Sequence, residues 1–151
     1  MFSYENIRFD ESLDAYIIDI FYKTKLFQCK TPNMELIDKE NIQIGNCNFI
    51  KLNCKIKNDR TNKFLDMFKN VEKKILKNLI GNEYSIFGNL LDKDLLKKII
   101  SLYEPSYCLD NNIILFTTKN NINNEIYNAN IILKNIVIED KKFYFLWVLV
   151  N

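Results

Sequence analysis

The run Lys142-Phe-Tyr-Phe-Leu-Trp-Val-Leu-Val150 is apolar at nearly every position and holds the chain's one tryptophan. A strand that is apolar on both faces needs cover on both faces, so the rest of the chain has to pack around this run. Just upstream, Tyr127–Glu139 reads as a partner strand, and Glu139-Asp140-Lys141 as the tight turn between the two. This C-terminal hairpin is expected to be the floor of the core, with Trp147 buried in it rather than offered to a ligand.

At 151 residues the chain suits a single β-rich domain, 1–151, with residues 1–14 read as an arm or a short edge strand. A hydrophobic content of 48% argues against disorder. The near balance of 21 basic and 19 acidic residues neither demands nor excludes a nucleic-acid partner, because local clustering matters more than the total. Asn, Ile and Lys are abundant while Gly, Pro and Arg are scarce, a bias that an A+T-rich coding sequence explains. Only Arg8 and Arg60 can offer a planar, bidentate fork to phosphate, so a binder built here works mainly with lysines.

Between residues 15 and 57 the signals are β. Ala15–Tyr22 is rich in β-branched and aromatic residues, Leu26–Cys29 continues as a short strand, and Thr31-Pro32 suits a sheet edge. Met34–Ile37 reads as a short strand ending at a charged turn, Asp38-Lys39-Glu40. Ile50, Leu52, Cys54 and Ile56 alternate with Lys51, Asn53 and Lys55, a half-buried antiparallel strand with a basic outer face.

The period then changes. Phe64, Phe68, Val71, Ile75 and Leu79, widened by Leu65 and Leu76, predict a helix over 62–80, with N-cap candidates in Asn58–Thr61 and a stop at Gly81. Glu83–Phe87 reads as a brief strand or turn. Asp92, Leu95, Leu96, Ile99 and Leu102 suggest a second helix before Pro105, and Ile113–Thr118 a further strand. The expected fold is therefore α+β and β-rich, a single antiparallel sheet or small OB-like barrel with one or two helices inserted mid-chain.

Catalytic chemistry is not visible. Histidine is absent, three glycines leave no phosphate-cradling loop, and no nucleotide-binding, nucleophile-elbow or zinc-protease motif occurs. Cys29, Cys47, Cys54 and Cys108 form no CxxC pair and read as reduced small hydrophobes of an intracellular chain. No enzyme activity, metal or cofactor is expected. Nor is there a signal sequence or a long uncharged apolar stretch, so neither membrane insertion nor secretion is expected.

What remains is a basic and aromatic surface. Lys51 and Lys55 share one strand face, Lys57, Arg60 and Lys63 follow, and Lys23, Lys25 and Lys30 flank the earlier strands. If those strands are neighbours, the lysines form one strip able to follow a phosphate backbone, with Tyr22, Phe27 and Phe49 placed to stack on bases. The plainer alternative is that the lysines are solvated and the aromatic residues are core.

Three stretches carry a family resemblance: Leu26-Phe-Gln-Cys-Lys-Thr-Pro32 before a short apolar strand, Phe49–Ile56 leading into a helix near Phe64, and the C-terminal hairpin. In this order, over about residues 15–151, the chain resembles a small β-domain family of nucleocytoplasmic large DNA viruses. The resemblance implies an OB-like domain in a viral protein that binds single-stranded DNA. Its alternative implication is a virion structural or assembly protein acting through other viral proteins or itself. Either would place the chain in the host cytoplasm, the nucleus or the virion. The family transfers no catalytic residue.

Overall fold

The computed structural model describes residues 1–11, 15–44, 47–57, 62–82, 97, 100–108, 110–139 and 142–150. In chain order these form β1 (Phe2–Asp10), β2 (Ala15–Tyr22), β3 (Phe27–Lys30), β4 (Met34–Ile44), β5 (Cys47–Ile56), α1 (Asn62–Gly81), β6 (Asn112–Thr117), β7 (Glu125–Ile126), β8 (Asn130–Ile138) and β9 (Phe143–Leu149). All nine strands join one sheet in the order β1-β2-β8-β9-β6-β5-β4-β7, with β3 also on β8.

This corrects the expected fold class. The protein is mainly β rather than α+β, and the sheet is open rather than a closed OB-like barrel, with β1 and β7 at its two ends. Nor is the sheet purely antiparallel, because β6 and β9 run parallel through the single pair Phe116 and Val148. Sequence periodicity shows that strands need cover on two faces but not how they obtain it. Here α1 covers one face, and the sheet curls over the other. Ile44 and Phe49 on β4 and β5 share a hollow with Arg8 and Phe9 on β1 and Ile17 on β2, although several strands intervene.

The two apolar sets of β9 occupy the two faces. Phe143, Phe145, Trp147 and Leu149 join Phe68, Ile75 and Leu79 of α1, while Tyr144, Leu146 and Val148 join Ile17, Ile44, Phe49 and Phe116 opposite. Each fully buried apolar side chain of this size contributes about 1.5–3 kcal/mol, so the expected floor is also the energetic centre. The Phe68 ring stacks on the Trp147 indole at 4.2 Å. The terminal hairpin forms with Ile138 opposite Phe143.

Two local features differ from the sequence reading. The strand expected to end at Ile37 runs on through Asp38-Lys39-Glu40 to Ile44, because β5 pairs with it over that whole length. Ile37 is taken up at the bulge between Leu36 and Asp38. β2 and β3 are two sections of one line along β8: Asp19 faces Asn135, and Phe27 faces Leu133. Between them the chain bends out through Lys23 and Thr24, both at positive φ. The N-cap candidates 58–61, the strand or turn at 83–87 and most of the second helical pattern lie outside the described residues.

At the centre, β6 and β9 separate from their one shared pair, and a short segment wedges between them. Glu104 N–H donates to Phe143 O on β9, and Ile114 N–H on β6 donates to Ser106 O, both at 2.8 Å. Tyr103 bridges to Phe143 and Tyr107 to Ile113. This Tyr103–Tyr107 wedge completes the sheet where two strands from distant parts of the chain diverge.

Candidate functional site

Of the ten residues expected to bind nucleic acid, the nine described do not form one surface. β6, β9 and β8 separate β5 from β3, about 19 Å at ordinary strand spacing, so Lys51 and Lys55 do not share a strip with Lys23, Lys25 and Lys30. Across β4, Glu40 stands opposite Lys51, Asp38 opposite Asn53 and Glu35 opposite Lys55. Lys57 is paired with Glu125, which raises the lysine's pKa and lowers that of the carboxylate. Lys51 is half-buried beside a cavity of about 90 Å³ that also touches Glu104, Phe116, Glu139 and Tyr144. The β5 face is thus a mixed-charge surface that offers a phosphate chain as much repulsion as attraction. Arg60 lies outside the described residues.

The three aromatic residues belong mainly to the core. Phe49 is buried against Phe116. Tyr22 and Phe27 are half-buried and form a chain of ring contacts that runs from Phe2 to Trp147.

A different basic surface forms at the bend between β2 and β3, next to the C-terminal half of α1. Lys23 lies over the Tyr22 ring at 5.3 Å, and its N–H donates to Met1 O at 3.1 Å. Local desolvation, then the ammonium of Lys74 and that of Lys23, hold the Met1 amine below its usual range. Lys23 and Lys74, from two separate elements, therefore bear on one point. Lys73 and Lys77 lie exposed beside Lys74 on α1, and Lys25 lies exposed beyond the bend. Among the described residues none of these five lysines is ion-paired. Lys74 and Lys23 lie far apart in sequence, and their nearness is a tertiary fact.

The other chemically distinctive group is Glu72. Its neighbours in the buried stripe of α1 are Leu65, Phe68, Ile75 and Leu79, yet Glu72 is itself 0% exposed. Glu72 Oε2 accepts from the Trp147 indole N–H at 2.7 Å. Oε1 accepts from Ser106 N–H at 3.2 Å and from the Tyr103 hydroxyl. Desolvation raises the pKa of this carboxyl, and the bonds from Ser106, Tyr103 and Trp147 offset part of that rise. No described cation pairs with it. A charged residue inside an apolar stripe is a signal the sequence does carry, because positions 65, 68, 72, 75 and 79 keep one helical face.

Among the described residues no group of three or more His, Cys, Asp or Glu could hold a metal ion, and no helix is long and apolar enough to cross a membrane. No protein-family model, curated protein or solved structure matches this chain. The resemblance to the viral family gains no support from them, and function rests on the chain's own geometry.

Proposed function

We propose that this protein binds a single-stranded nucleic acid, without a catalytic step, on the surface formed by Lys23, Lys25, Lys73, Lys74 and Lys77. The observation that supports this reading is a set of exposed lysines on the β2–β3 bend and α1 with no carboxylate paired to them among the described residues, the charges of Lys74 and Lys23 helping to lower the pKa of the Met1 amine. Like charges held together raise the local positive potential, and a polyanion relieves their repulsion. The exposed lysines place point charges along a phosphate chain, and the half-exposed Tyr22 ring beneath Lys23 offers an edge for stacking. Five neutralised phosphates give a slope of log affinity against log salt of roughly −3.5, at about −0.7 each. Fluorescence anisotropy with labelled oligo(dT) across a salt series tests this reading, and no binding at low salt ends it.

The open edge of β4 favours a second reading, assembly through an added strand. Only Met34 and Glu35 of β4 pair with β7, so from Asp38 to Ile42 the side of β4 away from β5 carries no paired strand among the described residues. Two-fold antiparallel pairing centred on Lys39 or Glu40 sets that residue against its own like charge. Light scattering at high concentration tests whether a second copy takes that edge, and a protein that stays monomeric counts against this reading.

A further inference from the structure

We infer that Glu72 is a proton-controlled latch: the neutral carboxyl seats the Tyr103–Tyr107 wedge between β6 and β9, and ionisation unseats it. The geometry has three parts. The carboxyl is 0% exposed and without an ion pair among the described residues. Two of its three donors, Tyr103 and Ser106, belong to the wedge, and the third is Trp147 on β9. The wedge is otherwise fastened to the sheet by few backbone bonds, chiefly Glu104 N–H to Phe143 O and Ile114 N–H to Ser106 O.

The groups that face Glu72 are mostly neutral. From the wedge come the Tyr103 phenol and the Ser106 hydroxyl, with the Tyr107 phenol beside Tyr103. From α1, Lys69 lies over the Tyr107 ring at 5.3 Å rather than on the carboxyl. β9 presents the Trp147 indole, in a core cluster with Phe143 and Phe145 of β9 and Ile113 and Leu115 of β6. A neutral carboxyl is at home there, since both oxygens still accept while its own O–H meets the Tyr103 oxygen. When the proton passes to water, a carboxylate is left in an apolar enclosure with hydrogen bonds but no counter-charge.

The sign follows from linkage. Burial raises the pKa of the seated carboxyl above its ordinary value of 4.5, while an unseated Glu72 meets water and titrates near that value. The seat is therefore firmest below this ordinary value and weakens as pH rises towards the raised one. Over that window the opening equilibrium grows about tenfold per pH unit. Opening frees the Phe143 carbonyl and the Ile114 amide, two strand-edge groups at the centre of the sheet.

Amide hydrogen exchange of Glu104 and Ile114, referred to Thr31 as an internal standard, reads this directly. The expected result is a loss of relative protection of about tenfold per pH unit above 4.5 in the native protein, with a flat ratio in Glu72→Gln. Equal pH slopes for the wedge amides and Thr31 in the native protein would overturn the latch. Tyr103→Phe keeps the carboxyl but removes the partner of both its charged and its neutral form, so the wedge amides lose protection relative to Thr31 while the dependence on pH remains. A Tyr103→Phe variant whose wedge amides follow pH with the same slope as Thr31 overturns the latch even if Glu72→Gln does not fold.

Discussion

The Trp147 indole N–H lies 2.7 Å from Glu72 Oε2, a direct hydrogen bond from β9 to the helix above it. A buried donor and a buried carboxyl satisfy each other between α1 and β9. Neither partner can be removed cheaply. Trp147→Phe takes the donor away and leaves a void beneath Phe68, with an expected loss of about 2–4 kcal/mol. Urea denaturation checks this, and a loss below about 1 kcal/mol contradicts the arrangement.

The Phe68 ring, 0% exposed and stacked on Trp147, carries the contact between helix and sheet. Phe68→Ala should cost about 3–5 kcal/mol. Tyr127 is 75% exposed, and Tyr127→Ala should stay within about 0.5 kcal/mol of the parent. The ranking, read from thermal melts, tests the placement of the core.

Thr31, 3% exposed, closes the end of β3 by accepting the Ala129 N–H on its Oγ1 at 3.0 Å, while its own N–H donates to Ala129 O at 2.8 Å. Thr31→Val keeps the shape and strands the Ala129 N–H, an expected loss of about 1–3 kcal/mol. A stability equal to the parent's by denaturant midpoint would mean that Ala129 finds another acceptor.

The four thiols should separate by reactivity. Burial pushes the Cys54 thiol up to about 12 and Cys29 up to about 11, whereas Cys47 and Cys108 are exposed. At pH 8 iodoacetamide should modify Cys47 and Cys108 quickly and Cys54 only after unfolding, because the thiolate is the nucleophile. Peptide mapping by mass spectrometry decides it, and early labelling of Cys54 contradicts its burial.

Much of the local structure was legible in the residues. The alternation of Ile50–Ile56, the helical stripe ending at Gly81 and the apolar run around Trp147 reappear as β5, α1 and β9, since each signal depends on a residue and its near neighbours. What pairs with what was not legible. β9 lies between β8 and β6, and β3 shares β8 with β2, through contacts that span most of the chain. The expected lysine strip depended on β3 and β5 being neighbours, and strand order carries no local signature. Glu72 was legible in principle, but its meaning comes only from Trp147, Tyr103 and Ser106 converging on it.

The most direct measurement compares oligo(dT) affinity, at low salt, among the native protein, Lys23→Glu/Lys74→Glu and Lys51→Glu/Lys55→Glu. The first double variant should lose at least about tenfold, as expected when two phosphate contacts turn repulsive, and flatten the salt slope. The second stays near native affinity. Loss on the β5 face with retention at Lys23 and Lys74 would contradict this reading.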